Sequence, residues 1–231
     1  MQSDAPPVSR PAAWGKFDRQ TGHYHHLAHH CADVAAVLMA LLEQPLFRRR
    51  AEAGLGARLD DRQIRVLGAL AFLHDIGKLA PGFQAKGWPE GHGLLPRGHL
   101  ECGWLWTRLP PRPDAMGGTV PHLVRMGLPA WLPTLFAHHG RPVAEPDRGG
   151  AQGAFAPVPG YDWQAEEAVL GRALLAWFPE ITDAAPPPPE PAFVHFFCGL
   201  LTLADWIGSD RRAFPFEAMF RADYGQTVQL K

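Results

Sequence analysis

Residues 62–77 read RQIRVLGALAFLHDIG, and this run decides the fold class. It contains no proline, and Ile64, Leu67, Ala71 and His74 recur at helical spacing. Asp60 or Asp61 supplies an N-cap and Gly77 a stop, so the pattern predicts a helix over the whole run. The helix is apolar enough to be buried, yet it closes on His74-Asp75. Neighbouring helical residues point about 100° apart, so both cannot face a bulk core. A buried ion chelated by both side chains is one explanation. A helix-end hydrogen bond beside a solvated Lys78 is the plainer one, and for the dipeptide alone it is preferred.

Working outward, the same kind of element recurs. From His25 the chain runs LAHHCADVAAVLMALLEQ without Gly or Pro, a helix stopped at Pro45. RRRAEAGLGARLD reads as a polar connection. Residues 79–98 hold five Gly and three Pro and read as a long loop. Helices are expected at 99–108, at 128–140, after the Asp162 cap, and over 191–210, with a short one at 213–221. Residues 109–121 and 141–160 are Pro/Gly connections, and Pro186–Pro189 is a stiff spacer. No repeat and no hairpin signal stands out. The expected fold is all-α, one compact multi-helix domain of roughly seven helices with long Gly/Pro-rich loops. The expected division is an extended N-terminal segment over 1–22 and a domain over 23–231.

Composition narrows the function. The chain has 231 residues, 46% of them hydrophobic and 19% charged, a folded rather than a disordered balance. No run of 18 or more apolar residues is present, so no membrane span is expected, and the first residues lack a secretory apolar core. The formal net charge is −1, which provides no global field for nucleic acid. A polyanion would have to be held by metals, by a short patch or by a partner. Cys31, Cys102 and Cys198 form no CxxC and read as reduced core thiols of a cytoplasmic protein.

Twelve histidines are the outstanding count, and most sit in pairs or beside Asp. His138-His139 ends a helix before Gly140, where two imidazoles are often only surface residues. His30 has an ordinary reading as part of a polar helix face with His26 and Asp33. His99 reads as an ordinary helix N-terminal residue. Asp205, in LLTLADWIGS, is harder to explain, because a carboxylate in so apolar a helix needs a cation. Together these residues give five His and two Asp on helices of one domain. Mixed imidazole and carboxylate ligands favour first-row transition metals over Mg²⁺ or Ca²⁺. Seven ligands exceed what one ion takes, and two ions bridged by one carboxylate would use them all.

His30, His74-Asp75 and Asp205 resemble the H…HD…D signature of the HD phosphohydrolase superfamily. The fuller wording, HLAHHCADVAAV, AFLHDIGKLAPGFQAK, AHHG and LADWIGSD, is similar to the HD nuclease domain of the type I CRISPR-associated helicase-nuclease, over about Trp14 to Asp210. The resemblance implies that His30, His74, Asp75 and Asp205 hold one metal. It implies that Asp75 bridges to a second ion held by His99, His138 and His139. The HxxDV spacing selects His30 over His26 and His29. The ions expected are two divalent transition metals, Fe, Mn, Ni or Co ahead of Mg. The implied function is metal-dependent hydrolysis of single-stranded DNA in CRISPR interference, as a hydrolase of the endonuclease kind in antiviral defence. Asp75 and Lys78 are the catalytic candidates, Lys78 by steadying charge on non-bridging phosphate oxygens. The implied partners are single-stranded DNA, a guide-RNA-bearing surveillance complex and a separate helicase subunit, with no membrane. No GxxxxGK[ST] occurs, so no helicase activity is carried over, and a stand-alone subunit, a truncated piece and a repurposed domain stay open. Trp88, Trp104 and Trp106 could stack bases, although packing is the commoner role. Two other functions remain in view: a phosphohydrolase of nucleotides or cyclic dinucleotides, and a non-catalytic docking module.

Overall fold

Pro45 both ends one helix and begins the next. It cannot continue the preceding helix, and its fixed φ suits a first helical turn. In the computed structural model, which describes residues 12–125, 127–146 and 150–228, α1 (Leu27–Glu43) therefore gives way to α2 (Pro45–Leu55) through an 87° bend. The polar connection expected here is thus a helix. Arg, Ala, Glu and Leu are good helix formers, and Gly56, in the left-handed region, closes the helix. Gly54, which looks like a breaker, lets α2 approach the backbone of Phe193, where a Cβ would lie 3.2 Å from its Cα.

The remaining helices are α3 (Asp61–Phe72), α4 (Pro81–Gln84), α5 (His99–Trp106), α6 (Val120–Arg125), α7 (Leu128–Leu135), α8 (Ala151–Ala154), α9 (Trp163–Trp177), α10 (Pro191–Gly208) and α11 (Tyr224–Val228). Asp60 caps α3 in a capping box with Gln63, and Asp162 caps α9. The helix content agrees with the all-α expectation. The excess over seven comes from α2 in the polar connection and from short helices in or beside the Pro/Gly connections, α4, α6 and α8. The helix expected at 213–221 does not form. Pro215 interrupts it, and the helical turn comes later, as α11.

One element was not foreseen. Trp14–Phe17 (β1) pairs antiparallel with Tyr24–His26 (β2), with Lys16 opposite His25 and a bulge between Trp14 and Lys16. The reversal uses Gly22 at φ 72, with its N–H donating to the Asp18 carbonyl. This hairpin crosses the expected boundary at residue 23, and Ala13 and Trp14 belong to the core. Residues 1–11 and 229–231 of the expected segments lie outside the described residues.

α1 is the central element. It packs between α3 and α10, while α7 and α2 lie against α10. α10 is 18 residues long with mean hydropathy 1.3, so by length and composition it could cross a membrane, contrary to the sequence expectation. Its apolar character follows from packing on three helices, and it carries the buried Asp205 inward. Trp88, Trp104 and Trp106 are all buried, which is their packing reading. Cys31 and Cys102 are buried thiols, whereas Cys198 is only half-buried.

Candidate metal centre

The centre is built where two helices stop. α3 ends at Phe72, earlier than the sequence pattern predicts, because the next turns tighten. The His74 N–H donates to Ala71 O, and Ile76–Leu79 is a 3₁₀ turn. The His74 side chain completes this ending, with Nδ1 2.7 Å from the Ala71 carbonyl. α7 ends by the same device: it stops at Leu135, short of the expected 140, and His138 Nδ1 lies 2.6 Å from Leu135 O. A carbonyl only accepts, so each Nδ1 carries the proton and each Nε2 presents a lone pair.

Those lone pairs converge. His30 Nε2 lies 3.0 Å and His74 Nε2 3.1 Å from Asp75 Oδ2. Asp205 Oδ1 comes within 3.4 Å of His30 Nε2 and 3.8 Å of His74 Nε2. The other carboxylate oxygen, Asp75 Oδ1, faces His99 Nε2 at 3.3 Å and His138 Nε2 at 3.7 Å. Each group, His30/His74/Asp75/Asp205 and His99/His138/His139, brings its ligand atoms within 4.8 Å of one another. The structure therefore gathers all seven of the residues singled out in the sequence and divides them as expected. His139 is the exposed member. His26 and His29 are elsewhere: His26 caps α1, and His29 accepts the Arg221 N–H.

Glycines permit this convergence. A Cβ on Gly77 would lie 1.9 Å from His99 O, so only glycine lets the turn after Asp75 press on α5 and bring His99 to the carboxylate. A Cβ on Gly15 would lie 2.5 Å from His30 Cβ, so β1 can cover His30 only with glycine there.

The buried polar atoms are not satisfied without a cation. His74 Nε2, Asp75 Oδ1, His99 Nε2 and His138 Nε2 are buried and have no hydrogen-bond partner among the described residues. Acceptors facing acceptors are costly in a dry interior, and a divalent ion satisfies all of them at once. Burial opposes charge on His74, but Asp75 and Asp205 outweigh it and push the imidazole up to about 9, so without a metal Nε2 would take a proton in the place where a divalent ion would use its lone pair. Burial likewise opposes the Asp75 carboxylate, but His74 and Lys78 outweigh it and hold that carboxyl well below the usual range. Burial pushes His99 down to about 2 and, with His74 beside it, His138 down to about 3, so both are neutral, as ligands must be. The donor set thus fits divalent metal ions.

Lys78 does not face solvent. Its ammonium lies 2.5 Å from Asp75 Oδ2 and donates to Gly15 O at 2.8 Å, and 6% of its side chain is exposed. Lys16, which sequence reading did not single out, donates to Asp205 Oδ1 at 3.3 Å with 26% of its side chain exposed. The buried Gln84 fastens β1 in place: Trp14 N–H donates to Gln84 Oε1, and Gln84 Nε2 donates to the carbonyls of Trp14 and Lys78.

A helical scaffold that presents His, His-Asp and Asp around one carboxylate-centred site defines the class as HD-type. The model of the Cas3 HD-domain family matches residues 14–214. The chain belongs to the Cas3 HD-domain family. It is 30% identical over 227 residues to the CRISPR-associated endonuclease/helicase Cas3 of Thermus thermophilus, covering 89% of this chain and 23% of that protein. The chain therefore spans about a quarter of that relative's length. Its fold matches the crystal structure of the Thermus thermophilus Cas3 HD domain in the presence of Ni²⁺, with TM-score 0.60, 24% identity, and coverage of 94% of this chain and 85% of that one. It also matches a chain of a CRISPR RNA-guided surveillance complex in a pre-nicking state, with TM-score 0.63, 22% identity, and coverage of 97% and 28%.

Proposed function

We propose that this domain is a metal-dependent nuclease that hydrolyses phosphodiester bonds of single-stranded DNA in CRISPR interference. Its partners in this reading are a guide-RNA-bearing surveillance complex and a helicase, and it works in the cytoplasm. The observation that carries the reading is the division of Asp75: one oxygen faces His30 and His74, the other His99 and His138. Such a carboxylate suits two ions of the Mn, Fe, Ni or Co type side by side. When bound, such ions acidify water and neutralise phosphate charge.

The chain's own residues supply the rest. The Ala71 and Leu135 carbonyls hold His74 and His138 in the tautomer that leaves Nε2 unprotonated. Lys78 neutralises Asp75 from behind and ties Gly15 down. Trp206, beside Asp205 on α10, is 72% exposed, and it offers a base-stacking face that the buried tryptophans do not. The net charge of −1 gives the isolated domain little hold on duplex DNA, so delivery falls to a partner.

The test loads the protein with Mn²⁺ or Ni²⁺ and offers single-stranded DNA, duplex DNA and a panel of nucleotides and cyclic dinucleotides. Cleavage of the single strand, in preference to duplex and to free nucleotides, is expected. Turnover of the nucleotide panel alone would transfer the site to small-molecule chemistry, and full metal loading with no turnover would make it structural.

A further inference from the structure

Two lysines border the metal ligands, and they are not equivalent. Lys78 is enclosed, with its ammonium committed to Asp75 and to the Gly15 carbonyl. Lys16 reaches the other carboxylate, Asp205, from the edge of β1 and keeps a quarter of its side chain in solvent. An ammonium has three donors, and Asp205 accepts one of them. The strand is fixed by four contacts: its pairing with β2, the Gln84 clamp, the Lys78 bond to Gly15, and the close seat of Gly15 on His30. This fixing is more than a surface ion pair needs. Long lysine side chains ordinarily move freely at a surface, but here the backbone carrying Lys16 is anchored over the ligand set.

We infer that Lys16 is a substrate-contacting residue, the cation that binds a non-bridging oxygen of the phosphate at the metal centre. Lys78 is the positioning residue that sets β1, and with it Lys16, at that height. The inference rests on the phosphodiester reading above and deepens it. It moves the phosphate contact from Lys78, where sequence reading placed it, to a residue on the hairpin. It also gives the hairpin a purpose: β1 acts as the wall of the site that faces substrate, and Gly15 lets that wall approach.

The experiment compares the parent chain with Lys16→Met, Lys16→Gln and Lys16→Arg. Bound Mn²⁺ is measured on each folded sample, then the affinity of the Mn²⁺-loaded protein for inorganic phosphate by calorimetry, then kcat and KM on single-stranded DNA. Lys16→Met should keep the parent's Mn²⁺ content and bind phosphate about tenfold more weakly. Its kcat/KM should fall by at least as much, and Lys16→Arg should restore most of both. Should Lys16→Met fail to fold, Lys16→Gln carries the same comparison with a polar side chain in place. The inference is overturned by phosphate affinity equal to the parent's, by loss of phosphate binding that merely tracks loss of metal, or by a metal-loaded parent that binds no phosphate. A parent that binds phosphate through Lys16 yet leaves single-stranded DNA intact would sink the nuclease reading and leave the Lys16 assignment standing.

Discussion

α1 serves two histidine–aspartate clusters of similar composition and opposite character. Around His30 the acceptors outnumber the donors, and four buried ligand atoms have no hydrogen-bond partner among the described residues. Around Asp33 the carboxylate's partners are supplied from within, and the buried atom left over, His29 Nδ1, is a donor and not an acceptor. His25 Nε2–H donates to Asp33 Oδ2 at 2.8 Å, and the Tyr224 hydroxyl donates to Oδ1 at 2.8 Å. The Glu217 and Arg221 backbone N–H groups donate to His25 Nδ1 and His29 Nε2. His29 also stacks on Tyr224, with ring centroids 3.9 Å apart. The first cluster is arranged for a cation. The second is a fastening that holds the segment after α10 against α1. Density of histidine therefore does not mark a metal site; the shortage of donors does.

The comparison is broken most directly at its two carboxylates. Asp75→Asn keeps the shape of the side chain and removes the charge that both groups share. It should empty both metal positions and lower DNA cleavage by about a thousandfold or more. Metal analysis, circular dichroism and the nuclease assay on one sample would show this, and two retained ions with near-parent cleavage would end the bridging role. Next in size is the contrast between His138→Ala and His139→Ala. His138 is buried and oriented by Leu135, whereas His139 is exposed. The first should remove one ion and cost about a hundredfold in rate, and the second should cost clearly less. Equal losses would show that orientation by the helix end does not matter.

Asp33→Ala probes the fastening. It leaves the His25 and Tyr224 donors buried without their acceptor, so stability should fall by about 2–4 kcal/mol while metal content holds. Urea unfolding together with metal analysis reads both, and loss of metal would show that the clusters are one unit. The last and most gradual effect is the pH dependence. Burial, with the neighbouring His25, pushes His26 down to about 4, and burial, with His26 and His25, pushes His29 down to about 3, against an ordinary 6.5. The unfolded chain therefore binds more protons than the folded one between those values. Stability is full above the ordinary value and declines as pH falls, by up to about 1.4 kcal/mol per pH unit for each histidine. A Tm that stays flat between neutral and mildly acidic pH would contradict the sign.

Residue type and spacing were enough to find the residues that cluster, because metal chemistry would constrain both. His30, His74, Asp75, His99, His138, His139 and Asp205 all come together where the motifs implied. The parts missed depend on contacts distant in sequence. The β1–β2 pair gives a weak local signal: four and three residues with a bulge, held by a glutamine 70 positions after Trp14. Lys16 is silent for the same reason, since only the register of β1 turns it toward Asp205. The use of Gly54 in α2, the approach to Phe193, could not be read locally because it lies in another helix. The ends of α3 and α7 came early because apolar periodicity does not register a histidine that caps its own helix.

The Lys16–Asp205 contact joins residues 189 positions apart. On the ribosome the strand bearing Lys16 is made well before the helix bearing Asp205. Until α10 docks, Asp75 has no second carboxylate beside it and the first ligand group is one member short. A nascent domain is thus unarmed until α10 is in place, and the ligand group is completed only with closure of the fold.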